Sequence, residues 1–124
     1  MAWTVILLGK VEEWFQDLVS KDPGTGDLVA AAIDLLEEEG PTLGRPVVDR
    51  VKGSRVHNMK ELRPGSSGRS EIRILFVFDP SRQVVILAAG DKVGAWQEWY
   101  AANIPLAEAR YAKWSHGGYD DERR

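Results

Sequence analysis

The sequence has 124 residues, of which 28% are charged, with a formal net charge of −3 and no cysteine. This length suits one domain that can bury a core without disulfides, and the lack of cysteine excludes a disulfide framework, a thiolate metal site and a cysteine nucleophile. The apolar run at residues 3–8 is shorter than a membrane span and lacks the flanks of an export signal. We therefore expect a soluble, cytoplasmic protein.

Charge is unevenly distributed along the chain. Residues 1–40 carry two basic and nine acidic side chains, whereas residues 41–92 carry ten basic and five acidic ones. This separation predicts a basic surface that binds a polyanion, because affinity for phosphate backbones comes from lysine and arginine. Ordinary solvated surface charge is the alternative, and counting alone does not separate the two.

The first forty residues predict a strand followed by two helices. Residues 3–8 are rich in β-branched and aromatic side chains, which favour a short strand. Apolar side chains then recur at helical spacing over residues 11–19 and again over 28–36, with a Pro-Gly break between them and Gly40-Pro41 after them. The pattern is that of a helical hairpin.

The middle of the chain begins with a predicted loop. Residues 40–54 are rich in glycine and proline, and their apolar side chains are expected to turn inward. These side chains are Val47, Val48 and Val51. Residues 55–63 predict a strand, in which side chains alternate between two faces. We expect Glu61 and Arg63 on one face of this strand, and Val56 and Leu62 on the other.

Two strongly apolar strands are predicted next, after a Pro/Gly/Ser turn at residues 64–68. Residues 71–78 alternate, so that one face carries four apolar side chains. They are Ile72, Ile74, Phe76 and Phe78. A turn at residues 79–82 leads into residues 84–89, an almost continuous apolar run typical of a central strand. The two segments predict an antiparallel hairpin.

The C-terminal part predicts two helices and a tail. Residues 93–101 suit a short helix, and Asn103 can cap a separate last helix with Pro105 in its first turn. The side chains predicted on the buried side of that helix are Leu106, Ala109, Tyr111 and Trp114, and those predicted in solvent are Arg110 and Lys113. We expect a single domain over residues 1–114 and a polar, frayed tail over residues 115–124.

Three motifs stand in a fixed order along this chain. They are Lys-Glu-Leu-Arg at residues 60–63, Arg-Ile-Leu-Phe-Val-Phe-Asp at residues 73–79, and Lys92 after the last strand. In this order the chain resembles the phage-derived, HigB-like branch of the RelE toxins of type II toxin–antitoxin systems, over roughly residues 3–114. The resemblance implies an α+β, RelE-like fold, in which an N-terminal helical hairpin packs on a small, mainly antiparallel β-sheet with a C-terminal helix.

The resemblance also implies an activity and partners. Such toxins are metal-independent endoribonucleases that cleave mRNA, usually on the ribosome, and a cognate antitoxin neutralises them. A 2′-hydroxyl attacks the adjacent phosphorus, so the reaction needs a base, positive charge on the phosphorane and an acid for the leaving oxygen. No membrane, metal or small-molecule cofactor is implied. The alternative is a RelE-fold protein that has lost catalysis and binds RNA, the ribosome or a partner, since Lys92 stands alone where many relatives have two lysines.

By position, the resemblance assigns Arg63 and Arg73 to the scissile phosphate, because a guanidinium stays charged and meets two phosphoryl oxygens at once. Lys92 and Glu61 are the candidates for proton transfer. An ion pair with Arg63 or Arg73 is an equally open role for Glu61. Lys60 matches a basic position of the family, although alternation turns it away from Arg63. Further RNA-binding candidates are Arg55, His57 and Arg69.

Other candidates have common structural roles. Trp96, Trp99 and Tyr100 could stack on bases, but aromatic side chains at helical spacing more often pack against a core. His57 and His116 could form an acid–base pair, although one is predicted in a strand and the other in the tail. No set of histidines and carboxylates stands at metal-ligand spacing, so we expect no metal site.

Overall fold

A sheet with helices on both faces forms the structure, a computed structural model that describes residues 2–118. The elements in chain order are β1 (Thr4–Leu7), α1 (Gly9–Lys21), α2 (Pro23–Glu39), a 3-10 turn (Gly40–Thr42), β2 (Val48–Arg50), β3 (Lys60–Leu62), β4 (Ile72–Asp79), β5 (Gln83–Asp91) and α3 (Trp96–Ser115). No helix in this part of the chain is long and apolar enough to cross a membrane.

The sheet has the strand order β1-β5-β4-β3-β2. Strand β1 pairs in parallel with β5, and the other neighbours are antiparallel. The long hairpin of β4 and β5 lies at the centre, as the continuous apolar runs predicted. The predicted α+β architecture, with an N-terminal helical hairpin and a C-terminal helix on a mainly antiparallel sheet, is confirmed.

The turn between α1 and α2 is fixed by a capping residue. Asp22 accepts a hydrogen bond from the Thr25 backbone N–H at 3.2 Å, and Pro23 occupies the first helical turn. Ser67, from the loop between β3 and β4, donates to the same carboxylate at 3.0 Å. Hydrogen bonds from Thr25 and Ser67 hold the pKa of Asp22 below its usual value. The turn therefore also anchors the β3–β4 loop.

The two faces of the sheet bury different clusters. The hairpin face, covered by α1 and α2, is built from alternate side chains of the central strands. They include Ile72, Ile74, Phe76, Val84 and Ile86, packed on Val29 and Leu36 of α2. The α3 face buries the intervening side chains. They include Leu75, Val77, Val85 and Leu87, packed on Ala107 and Trp114 of α3. The predicted alternation in β4 is confirmed.

A β-bulge interrupts this alternation in β5. Leu75 pairs with Ala88 but the next residue, Phe76, pairs with Ile86, so Leu87 is an additional residue on β5. Leu87 and Ala88 both pack on the α3 face, and the residues after them are shifted by one position. Gly90 consequently lies under Trp99 of α3, where a Cβ atom would come within 2.5 Å of the indole Nε1.

Three predictions for the middle of the chain were wrong. The loop predicted over residues 40–54 contains the edge strand β2, because Val48 is buried and pairs with Leu62 of β3. The strand predicted from residue 55 begins only at Lys60. Before it, the Ser54 hydroxyl and the Arg55 backbone N–H donate to Glu108 of α3 instead of to a neighbouring strand. Val56 was also predicted to share a face with Leu62, but it packs on the α3 face and Leu62 on the hairpin face, because Val56 lies in the loop before β3 where strand alternation does not apply.

The C-terminal helix also differs from the prediction. Asn103 donates from its side chain to the Trp99 carbonyl at 2.9 Å, so it bonds the preceding turn of one continuous helix and caps no new one. Pro105 lies inside α3, where it removes one backbone hydrogen bond.

The buried side of α3 was predicted in part. Trp114 is buried and Tyr111 packs beside it, as predicted, whereas Leu106 is 40% exposed and Ala107 is the buried residue of that turn. Arg110, predicted in solvent, donates to the Leu87 carbonyl at 2.8 Å. The helix extends to Ser115, one residue into the predicted tail, and residues 119–124 of that tail lie outside the described residues.

Candidate active site

Glu61 lies at the centre of a charged cluster on the α3 face. It stands on β3 and is only 3% exposed. Tyr100 of α3 donates its hydroxyl to Oε1 at 2.5 Å, and Nε and Nη2 of Arg63 bind Oε2 at 2.8 and 2.6 Å. A buried carboxylate is costly unless such partners replace its water, so these contacts define the cluster. The predicted ion pair of Glu61 with Arg63 is present.

Arg63 follows β3 directly, and alternation places it on the same side as Glu61. Its Nη2 also lies 3.4 Å from Asp49 of β2, and its side chain is about one third exposed. Burial by itself lowers the pKa of Arg63, but the hydrogen bond and charge of Glu61, with the charge of Asp49, outweigh burial and raise that pKa above its usual value. Arg63 is therefore a fixed cation that still reaches solvent.

Arg73 approaches the cluster from β4. Leu62 pairs with Ile74, so the β3–β4 register continued by one residue places Arg73 opposite Arg63. Its Nη1 donates to the Ile72 carbonyl at 2.8 Å, while its buried Nε has no hydrogen-bond partner in the described structure. Arg73 is half-buried, and a guanidinium that keeps an unused donor is suited to receive an anionic oxygen.

Tyr100 of α3 contacts Glu61 and lies close to Arg73. Burial, followed by the hydrogen bond and the charge of Glu61, raises the pKa of Tyr100 to about 12, against the opposing influence of Arg73. The phenol thus stays neutral and donates a hydrogen bond to Glu61. The sequence indicated Tyr100 only as a packing or base-stacking aromatic, because nothing in a helical pattern reveals a partner 39 positions away.

Lys92 enters the cluster because of the β5 bulge. Strict alternation from Val84 and Ile86, which lie on the hairpin face, would place Lys92 on that face too. The additional residue instead turns it toward α3, where its Nζ lies 6.0 Å from the centre of the Tyr100 ring and 3.6 Å from Glu71. The four predicted catalytic residues therefore lie around one tyrosine.

A cavity of 360 Å³ opens beside the cluster. Its walls are the end of β2 with the loop that follows, Glu61 and Arg63, and the first turns of α3. The side chains contributed by α3 are Trp96, Tyr100 and Ile104. Trp96 is 57% exposed, so an aromatic face is available next to the charged groups.

The predicted RNA-binding residues lie outside this cluster. Lys60 is on the hairpin side of β3, as alternation predicted, with its Nζ 5.8 Å from the centre of the Phe78 ring. Arg55 is exposed next to α3, His57 is exposed in the loop before β3, and Arg69 is exposed in the loop before β4. His116 contacts the Ala112 carbonyl of its own helix at 2.7 Å, so its ring is engaged apart from the cluster.

Within residues 2–118, no group of three or more histidine and carboxylate side chains is placed to hold a metal ion. The charged groups of the cluster are instead cations around a single buried carboxylate. Such a set can bind an anion and move a proton.

Comparison with known proteins gives the family of this chain. Residues 16–112 match the family model described as "Phage derived protein Gp49-like (DUF891)". The chain belongs to this family of HigB-type toxins. It is 56% identical over 117 residues to "Putative toxin HigB3" of Mycobacterium tuberculosis, covering 92% of this chain and 97% of that protein. The resemblance seen in the motifs is thereby confirmed.

A second relative is longer than this chain. "Putative toxin HigB2" of Mycobacterium tuberculosis is 53% identical over 113 residues, which cover 91% of this chain. The match covers 54% of that protein, so this chain spans about half of its length.

Proposed function

We propose that this protein is the toxin of a toxin–antitoxin system and acts as an endoribonuclease that cleaves mRNA without a metal ion. The observation that carries the proposal is the convergence of Arg63, Arg73 and Lys92 on the buried pair of Glu61 and Tyr100. Family membership supports it, because the relatives are named as toxins. A cognate antitoxin is the protein partner that follows.

The scissile phosphate would bind between Arg63 and Arg73. The β3–β4 register, continued by one residue, puts Arg63 and Arg73 opposite each other on neighbouring strands, and the unused Nε donor of Arg73 offers a site for a phosphoryl oxygen. Fixed cations on both sides of the phosphorus stabilise the charge that develops on the pentacoordinate phosphorane. Arginine suits this role because its planar guanidinium can donate two hydrogen bonds to one phosphate.

Glu61 would act as the base for the 2′-hydroxyl. Both of its oxygens are engaged in the free protein, so an incoming phosphate has to compete with Glu61 for Arg63. Once Arg63 turns to the phosphate, Oε2 is free to take the 2′-hydroxyl proton. The 2′-oxygen then bonds to phosphorus as the bond to the 5′-oxygen breaks, which gives a 2′,3′-cyclic phosphate.

Lys92 would donate a proton to the leaving 5′-oxygen. Its side chain is 16% exposed and is held next to Tyr100. Tyr100, whose pKa is raised to about 12, is neutral at physiological pH and orients Glu61 through its hydroxyl. The product on this side is an RNA with a free 5′-hydroxyl.

One observation favours a second candidate function. The carboxylate of Glu61 is saturated by Tyr100 and Arg63, which is what a purely structural ion pair requires. A RelE-fold protein of this kind would bind RNA, the ribosome or a partner without cleaving. Binding that weakens with salt in the absence of cleavage would select it.

The test is cleavage of a defined mRNA in a cell-free translation system, with and without ribosomes and with a metal chelator added to the ribosome-free arm. We expect products with a 2′,3′-cyclic phosphate and a 5′-hydroxyl, formed on translating ribosomes. Products with a 5′-phosphate, or no cleavage in either arm, would contradict the proposal. A small protein encoded next to this chain that binds it and stops cleavage would identify the antitoxin.

A further inference from the structure

A second basic site lies beside the candidate active site, on the other side of the edge strand. Arg50 of β2 pairs directly with Lys60 of β3, so two cationic side chains stand opposite each other on one face. Like charges in that position repel and destabilise a sheet. Neither side chain has a carboxylate within ion-pair distance among residues 2–118. The pair is therefore suited to hold an external anion.

A groove of 510 Å³ surrounds this pair. Pro41 and Phe78 contribute apolar surface, Arg50 and Lys60 contribute charge, and His57 is also in its lining. The Lys60 Nζ is 5.8 Å from the centre of the Phe78 ring, so charge and an aromatic ring lie side by side. Cations next to aromatic surface are typical of single-stranded nucleic-acid sites, where phosphates bind the cations and bases stack on the rings.

The groove is continuous with the candidate active site. Arg50 lines this groove and also the 360 Å³ cavity next to Glu61 and Arg63. Between the two, Arg50, Lys52 and His57 line a third depression that crosses the edge of β2. Strand β2 thus separates the groove from the 360 Å³ cavity, and its Arg50 lines both.

We infer that the RNA bound at Arg63 and Arg73 crosses the edge strand β2 and continues into the groove of Arg50 and Lys60, which holds a phosphate flanking the scissile one. This inference rests on the proposed function for the position of the scissile phosphate. It gives Lys60 a role on the face opposite to the active site. It also extends the substrate from one phosphate to a single-stranded segment of several nucleotides.

The experiment measures binding of non-cleavable, 2′-deoxy-substituted oligonucleotides by fluorescence anisotropy at several salt concentrations. A short oligonucleotide of about four nucleotides occupies only the active site, and one of about twelve also reaches the groove. The variants are Lys60→Gln and Arg50→Gln, with Lys10→Gln as the control, since Lys10 is exposed on α1.

We expect both groove variants to weaken binding of the long oligonucleotide and to lower its salt slope by about 0.7 for each lost phosphate contact. The ratio of affinities for long and short oligonucleotides falls in these variants and stays at the wild-type value in Lys10→Gln. Because the like-charge pair is relieved, Lys60→Gln also raises the urea midpoint without RNA, which separates loss of binding from loss of folding.

Equal affinity and equal salt slope for the wild type and both groove variants would overturn the inference, as would wild-type binding that does not increase with length. These outcomes are distinct from failure of the proposed function. If the groove variants lose affinity for the long oligonucleotide and mRNA is not cleaved, the groove is an RNA-binding site and the protein is the non-cleaving binder. If mRNA is cleaved as proposed and the groove variants bind normally, only the groove is wrong.

Discussion

The two faces of the sheet differ in the side chains that they bury. On the hairpin face, α1 and α2 cover side chains that are almost all apolar, with Phe76 and Leu36 fully buried. On the α3 face, apolar packing around Trp114 gives way near the start of α3 to the ion pair of Glu61 with Arg63. The candidate site thus lies where apolar packing ends, on a scaffold that the opposite face stabilises.

The largest effect on folding is expected from Phe76→Ala on the hairpin face. Phe76 is fully buried, so the change loses apolar burial and leaves a cavity, which costs about 3–5 kcal/mol. Urea denaturation measures it. Phe78→Ala is the control, because Phe78 is only partly buried at the end of the same strand, and its cost should be clearly smaller. Equal losses for the two variants would contradict the account, in which the depth of burial on the hairpin face sets the cost.

A large effect on activity, with some loss of stability, is expected from Glu61→Gln on the α3 face, because the amide also weakens the buried ion pair with Arg63. The amide still accepts the Tyr100 hydrogen bond but cannot serve as a base, so cleavage falls by a factor of about 10²–10⁴. Glu13→Gln is the control, because Glu13 is exposed on α1. Single-turnover cleavage with a parallel unfolding curve measures both quantities. Near-normal cleavage by Glu61→Gln would remove Glu61 from the role of base and leave it as the partner of Arg63.

An intermediate effect is expected from Gly90→Ala, which tests the bulge. The added methyl group would meet Trp99 and displace the start of α3, at a cost of about 1–3 kcal/mol. Because Trp99 adjoins Tyr100 in α3, cleavage should decrease as well. Gly68→Ala is the matched control, since a Cβ at Gly68 meets nothing within 4 Å. Equal stability of the two variants would show that α3 tolerates movement at this point.

The smallest effect is expected from the ionisation of Tyr100. Its pKa is raised from 10.0 to about 12 in the folded protein, so the neutral phenol is favoured by folding. The corresponding stability is fully present below pH 10 and is lost as the pH rises through about 12. We expect Tyr100→Phe to be less stable than the wild type by about 1 kcal/mol at neutral pH. That difference should shrink between pH 10 and pH 12, and a constant difference in urea denaturation would contradict it.

Much of the fold was predictable because strong local patterns determine it. The helical hairpin and the β4–β5 hairpin follow from apolar spacing, and the structure confirms both. Strand β2 could not be found in this way, since three residues in a segment rich in glycine and proline form a strand only by pairing with β3. The break predicted at Asn103 failed because its side chain bonds back to Trp99 within α3.

The arrangement of the candidate site was not predictable from the sequence. Motif positions indicated Arg63, Arg73, Glu61 and Lys92, and the structure brings these side chains to one face. What alternation could not supply was the bulge that turns Lys92 toward that face, since one additional residue reverses the expected side. The contact of Tyr100 with Glu61 depends on the docking of α3, which no local pattern encodes.

The most direct test of the α3 face as an active site is mRNA cleavage by Arg73→Ala compared with the wild type in cell-free translation. Arg73 has a buried, unpartnered donor that the account assigns to the scissile phosphate. We expect cleavage to fall by a factor of about 10²–10³, as for loss of one group that stabilises transition-state charge. Far-UV circular dichroism should stay normal, and Lys21→Ala on α1 should cleave like the wild type. Unchanged cleavage by a folded Arg73→Ala would contradict the account.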